Sequence, residues 1–270
     1  MIFSDKIVII TGASSGIGKA LVEEFSRKGA TVVAAARSED KLSNLKSKLQ
    51  AEGFEIFPFT TDVTNENDCK NLINSTVARF GKIDVLINNA GISMRALFDD
   101  VDLDVIKKVM DVNFWGTVYC SKFALPYLLK SNGSLVGVSS IAGYKGLPGR
   151  TGYSASKFAM QGLLEVIRIE NMKKGLHVLI ACPGFTTSNI RNTALAADGS
   201  QQGETPRDED KMMSAAEVAH HISLAVHRRK RTLILTTQGK ATVLLSKFLP
   251  KFLDKMVYNH LAKEQNSPFK

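Results

Sequence analysis

Tyr153 and Lys157 stand four residues apart, so a helix places them one turn from each other on a single face. A phenol alone is a poor acid or base near neutral pH, because its reference pKa is about 10. An ammonium beside it favours the phenolate and brings proton exchange within reach. The spacing by itself is common, and a surface tyrosine and lysine that share a face by chance satisfy it equally. The rest of the chain has to give it meaning.

A second constellation lies near the start. Residues 6–11 form a short apolar, β-branched run that suits a strand buried on both faces of a parallel sheet. Gly12-Ala13-Ser14-Ser15-Gly16-Ile17-Gly18 follows, and then a helical pattern over 19–28 that stops at Gly29. Strand, glycine turn and helix together set a pyrophosphate against free N–H groups at a helix N-terminus. The spacing is G-x-x-x-G-x-G, and its context points to nucleotide binding.

The next strand, 31–36, ends at Ala36-Arg37. A carboxylate there would accept from a ribose 2′-OH and favour NAD. An alanine followed by a guanidinium fits a 2′-phosphate instead, so NADP(H) is the expected preference, with NAD(H) as the lesser alternative. Arg37 capping a solvent-facing loop is the plainer reading. Ser14, Ser15 and Lys19 are candidates to assist.

Alternation continues along the chain. Strands are expected at 54–60, 84–87, 134–139, 176–182 and 232–236. Helices are expected at 38–52, 65–80, 102–130, 151–173 and 214–230, with Pro126 kinking the 102–130 segment or marking a turn. The pattern predicts a Rossmann-like doubly wound parallel sheet of about seven strands, with a C-terminal helical extension. No linker, repeat or low-complexity segment divides residues 1–270, so one domain is expected. Asp62-Val63 ends the third strand, near where an adenine would lie. Asn88-Asn89-Ala90-Gly91 ends the fourth and suits the lining of a cofactor crevice. Asn113 is a polar residue in an apolar stretch and needs partners if buried. Trp115 reads as a packing residue.

These residues resemble the compact short-chain dehydrogenases/reductases. The likeness rests on Thr11-Gly12-x-x-x-Gly16-x-Gly18, Asn88-Asn89-Ala90-Gly91, Asn113, Ser140, Tyr153-x-x-x-Lys157 and Pro183-Gly184, in that order and spacing across 5–190. Gly91-Ile92-Ser93-x-Arg95, Ser154-Ala155-Ser156-Lys157 and residues 214–219 resemble the branch of human dehydrogenase/reductase member 7B. The resemblance implies carbonyl reduction or alcohol oxidation with NAD(P). It implies Tyr153 as general acid/base, Lys157 binding the nicotinamide ribose and lowering the tyrosine pKa, and Ser140 holding the substrate oxygen. It implies Asn113 holding a relay water, Asp62, Val63, Asn89 and Arg37 around the adenosine side, and Ala90 and Gly91 as further cofactor contacts. Pro183, Gly184, Thr186 and Ser188 would hold the carboxamide. A homodimer or homotetramer is implied as well. A non-catalytic NADP(H)-binding sensor or scaffold is the rival, and the intact set of four catalytic-type residues argues against it.

Substrate choice is expected to lie in 184–213, which has few periodic signals, Gly199, Gly203 and the acidic run Asp208-Glu209-Asp210, and resembles a flap over the substrate. Residues 193–197, Ile141, Tyr144, Leu147 and Phe185 are candidates for an apolar wall, favouring a bulky or apolar ketone. Arg95 and Arg150 could meet an anionic substrate, with surface charge the plainer reading for each. Residues 240–264 give one or two helices around Pro250, in which apolar residues recur at helical spacing between Lys247, Lys251 and Lys255. Packing over the substrate mouth, a subunit interface and peripheral contact with an anionic membrane all fit.

Composition narrows the rest. Hydrophobic residues make up 44% and charged residues 23%, as in ordinary globular chains that bury a substantial core. The net charge of +9 suits anionic ligands, but no motif supports nucleic-acid binding. The cluster His227-Arg228-Arg229-Lys230-Arg231 reads as a solvated turn at a helix end, where cations are favoured, with a docking patch as the alternative. Three cysteines without metal or disulfide spacing suggest a reducing compartment. No secretory leader or spanning segment is read, so a cytoplasmic place, peripheral to a membrane at most, is expected. His220, His221 and His227 lack partners at ligand spacing, and no metal site is expected.

Overall fold

Seven parallel strands share one sheet in the order β3-β2-β1-β4-β5-β6-β7. They are β1 (Ile7–Thr11), β2 (Thr31–Ala36), β3 (Ile56–Thr60), β4 (Val85–Asn88), β5 (Ser134–Val138), β6 (His177–Cys182) and β7 (Thr232–Ile234). The structure is a computed structural model and describes residues 1–187, 190–203, 212–263, 267 and 269. The order reverses between β1 and β4, and a crevice opens at that point beyond the strand C-termini. β1 is buried at all five positions, as its unbroken apolar run requires. β3 is an edge strand, which is why Pro58 is tolerated within it.

The helices cover both faces. They are α1 (Gly16–Arg27), α2 (Glu39–Ala51), α3 (Glu66–Phe80), α4 (Leu103–Met110), α5 (Gly116–Lys130), α6 (Thr151–Glu170) and α7 (Ala215–His227). On α2, Leu42, Leu45 and Leu49 are buried at i, i+3 and i+7, each burial contributing about 2 kcal/mol. α3 starts at Asn65, whose side chain accepts from the N–H groups of Asn67 and Asp68, and ends at Gly81 with a left-handed φ of 76°. α7 begins with a full capping box between Ser214 and Glu217.

The expected single helix over 102–130 is two helices joined by a π turn, Asp111–Trp115, with Asn113 at its centre. Pro126 neither breaks nor ends α5, which runs through it to Lys130. Trp115 is not a core residue: it is 44% exposed and stacked on Tyr119. Arg229 has a structural task, donating to the carbonyls of Asn132 (2.9 Å) and Gly175 (2.6 Å). His220 pairs with Glu24 of α1 at 3.1 Å. Cys69, Cys120 and Cys182 are free and buried.

The C-terminal extension is α8 (Thr237–Phe248) followed by α9 (Pro250–Ala262), broken at Leu249-Pro250 as the proline predicts. α8 packs on the turn after β5 through Gly239 and Ile141. α9 is tied to the same loop by an ion pair between Asp254 and Lys145.

Candidate active site

One cleft of about 500 Å³ runs across the strand C-termini. Its lining contains Gly12, Ser14, Ser15, Gly16, Ile17 and Gly18 from the first turn. It also contains Arg37, Asp62, Val63, Asn89, Ala90, Gly91, Ser140, Tyr153, Lys157, Pro183, Gly184 and Thr186. Lys19 does not line it, and Ser188 and the acidic run 208–210 lie outside the described residues.

The floor is built for an anion. Gly12 and Gly16 have φ values of 65° and 51°, left-handed conformations in which a side chain is strained. A Cβ on Gly18 would lie 2.0 Å from the Gly12 carbonyl oxygen, so only glycine lets the helix come this close to the turn. The N-cap Ser15 makes no side-chain cap, and the first turn of α1 carries no acid, which leaves its N–H groups facing the cleft. Asn89 stitches the two sides of the crevice: its Nδ2 donates to the carbonyl of Thr11 at 3.0 Å, and its own N–H donates to Thr11 Oγ1 at 3.0 Å. Ala90 N–H donates to the same hydroxyl at 3.1 Å.

The polarity of the lining is one-sided. Arg37 and Lys41 stand beyond β2, Lys108 on α4, Arg150 and Lys157 on α6 or its start, and Arg191 after Thr186. Among the described lining residues the one acid is Asp62, which accepts from Thr64 N–H and its hydroxyl. Lys41 and Lys108 carry no motif, and only the fold brings them to the cleft.

The catalytic-type residues meet where β5 ends and α6 begins. Ser140 caps a 3₁₀ turn (Ile141–Gly143), accepting from Ala142 N–H at 3.1 Å, and stands close enough to the Tyr153 phenol to lower its pKa. Lys157 is buried; its Nζ donates to the Val138 carbonyl at 2.9 Å and lies 5.8 Å from the Tyr153 ring centroid. Burial pushes that ammonium down to about 8. The expected lowering of the Tyr153 pKa does not win in this geometry. Burial raises it above the ordinary phenol, while the Ser140 side chain and the Arg150 charge pull the other way. The phenol therefore stays protonated near neutral pH.

Asn113 does not line the cleft. It is fully buried, with Oδ1 accepting from Ile92 N–H (2.8 Å) and Nδ2 donating to the Ile92 carbonyl (3.0 Å) and to Ser156 Oγ (2.9 Å). Ser156 in turn donates to the Tyr153 carbonyl at 2.8 Å. Asn113 thus pins the loop after β4 to the catalytic turn of α6. A Cβ on Gly91 would sit 3.1 Å from Asn113 Oδ1 and 3.6 Å from Lys157 Nζ, so the small residue keeps this junction open. Gln161, which no motif marks, holds Ser139 Oγ at 2.9 Å, one residue before Ser140.

The substrate side departs from expectation in detail. Leu147, Phe185, Thr193 and Leu195 line the cleft, whereas Ile141 and Tyr144 pack in the core behind it. Arg150 is not a surface charge: it lines the cleft and donates to Ser93 Oγ at 2.6 Å. Arg95 stays outside, its N–H donating to the Leu195 carbonyl at 2.8 Å. The segment around Leu195 is an ordered turn, with Leu195 N–H on Ser93 and Gln202 N–H on Ala194.

Comparison with known proteins agrees with this geometry. Residues 6–198 match the family model described as short chain dehydrogenase. The chain belongs to the short-chain dehydrogenases. It is therefore an oxidoreductase of that family, working on an alcohol/carbonyl pair. Among relatives, it is 33% identical over 267 residues to the mouse dehydrogenase/reductase SDR family member 7B, covering 97% of this chain and 83% of that protein. It is 32% identical over 263 residues to a Dictyostelium discoideum SDR family protein 7-like, covering 95% and 82%. An Arabidopsis thaliana 11-beta-hydroxysteroid dehydrogenase-like 4A is 35% identical over 250 residues, covering 92% and 82%. The fold matches a Burkholderia phymatum short-chain dehydrogenase/reductase solved with NAD. The TM-score is 0.83 at 24% identity, over 93% of this chain and 96% of that one.

Proposed function

We propose that this protein is an NADPH-dependent reductase of ketones or aldehydes, reversible as an alcohol dehydrogenase, acting on an apolar or bulky substrate. The observation that carries the reading is the Tyr153 phenol set beside Ser140 and Lys157 in the lining of a cationic, glycine-floored cleft. When bound, the nicotinamide supplies the hydride, and the protein supplies geometry, charge and a proton.

Each residue then has a task. The uncapped N-terminus of α1 and the glycine turn take the pyrophosphate. Arg37, with Lys41 beside it and no carboxylate at the end of β2, takes the 2′-phosphate. Lys157 holds the ribose hydroxyls on the nicotinamide side. Ser140 donates to the carbonyl oxygen, on which negative charge develops, and Tyr153 delivers the proton to it. Leu147, Phe185 and Leu195 form the apolar wall for the rest of the substrate.

Tyr153→Phe tests the reading. Turnover should fall by about 10²–10⁴-fold while NADPH affinity changes by less than about twofold. Undiminished NADPH oxidation by Tyr153→Phe across a panel of ketones and aldehydes would overturn the mechanism. A non-catalytic NADP(H) binder is the second reading; it predicts no turnover of any carbonyl by the wild type. A homodimer or homotetramer is the expected assembly, to be read from light scattering.

A further inference from the structure

The terminal helices α8 and α9 bury little of what they carry. Val243 and Leu253 face the body of the protein, and Gly239 rests on Ile141. Leu244 and Phe248, one turn apart on α8, are exposed, Phe248 by 72%. Leu249 at the junction is exposed, and so are Phe252 and Met256, one turn apart on α9. Monomeric proteins rarely leave such a run of large apolar side chains in water without a partner.

The charges beside this face select the partner. Lys240, Lys247, Lys251 and Lys255 are all exposed and interleave with the apolar residues. The single acid within the two helices, Asp254, is engaged by Lys145. A second copy of the chain docked through this face would bring like charges together. An anionic bilayer satisfies both features at once, apolar side chains entering the acyl boundary and lysines meeting the headgroups. No helix among the described residues is long and apolar enough to cross a membrane, so the contact lies in the interface plane.

We infer that α8 and α9 form an interfacial membrane-binding surface selective for anionic lipid. Its position gives the contact a direction. Both helices sit on the 141–149 loop, which carries Leu147 of the cleft wall.

Sedimentation of the full chain with vesicles tests this. Vesicles of phosphatidylcholine alone are compared with vesicles holding about 30% phosphatidylserine, at about 0.1 M and 0.5 M salt. Wild type should bind the anionic vesicles at least about tenfold more tightly, and high salt should weaken the binding. Lys247→Glu with Lys251→Glu should abolish the preference for anionic lipid. Phe248→Ser with Phe252→Ser should lower binding at least about tenfold while turnover in solution and the melting temperature stay unchanged. Equal sedimentation with both lipid mixtures overturns the inference, as does anionic binding that survives both double variants. A drop in oligomeric mass on Phe248→Ser with Phe252→Ser, without lipid binding by wild type, overturns it in favour of a second copy.

Discussion

Lys157 Nζ donates to the Val138 carbonyl at 2.9 Å, which fastens this lysine of α6 to the last residue of β5. Burial there lowers its pKa from 10.5 to about 8. The neutral amine is favoured, so the charged form penalises the folded state below about pH 8, and the penalty fades as pH rises towards 10.5. Measured against Lys157→Met, wild type should gain up to about 3 kcal/mol of stability between pH 8 and 10.5, read by urea unfolding. A flat difference across that window would mean that the ammonium is not desolvated.

Cofactor choice rests on the end of β2. Ala36→Asp with Arg37→Ala places a carboxylate able to accept from a ribose hydroxyl where the proposed phosphate-binding cation stands. The ratio of kcat/KM for NADPH over NADH should fall at least about tenfold. An unchanged ratio would remove Arg37 from the 2′-phosphate site and leave Lys41 as the candidate.

The first turn admits no side chain at Gly18. A Cβ there meets the Gly12 carbonyl oxygen at 2.0 Å and Asn89 Nδ2 at 2.5 Å, neither of which yields without opening the crevice. Gly18→Ala should cost about 2–3 kcal/mol and weaken NADPH binding together. Gly162→Ala is the control, since α6 offers open space at that position and alanine is the better helix former by about 1 kcal/mol. Calorimetry of both variants separates local clash from a general effect of substitution.

Acid should act on His177, at the opposite end of the sheet from the cleft. Its Nε2 donates to the Lys230 carbonyl at 2.8 Å, which leaves Nδ1 to accept from Ser134 Oγ at 2.9 Å. Burial holds its pKa below the ordinary 6.5, helped by the Arg229 charge and opposed by the Lys230 carbonyl. A neutral imidazole is therefore part of the fold: its stability is present above about pH 6.5 and is lost as pH falls through the lowered value. Wild type should lose stability between pH 7.5 and 5 more steeply than His177→Gln. Parallel slopes would show that other groups govern the acid limb.

Much of the site was legible because its signals are local. The glycine turn, Ala36-Arg37, Tyr153 and Lys157 each declare themselves within a few residues of one strand or helix end. Arg150, Lys41 and Lys108 were misread or missed because their place in the cleft depends on how loops cross the sheet. Asn113 was noticed as a buried amide, but its bonds to Ile92 and Ser156 join segments 21 and 43 residues away. A phenol pKa lowered by Lys157 was expected from spacing alone; burial, a tertiary property, raises it instead. Pro126 marks no turn: α5 runs through it to Lys130. The exposed face of α8 and α9 was left undecided for the same reason, since helical spacing does not say what lies opposite.

The π turn at Asp111–Trp115 acts as a phase shifter. One extra residue in the turn sets α4 and α5 out of register, so that α4 rests on α6 while α5 rests on α3. Chain length within this stretch is therefore fixed more strictly than side-chain identity. Deleting one residue from 111–115 would restore a continuous helix and rotate α4 by about 100° about its axis. Asn113 would then leave Ile92 and Ser156 together, the Tyr153 turn of α6 would lose its anchor, and Lys108 on α4 would turn away from the cleft.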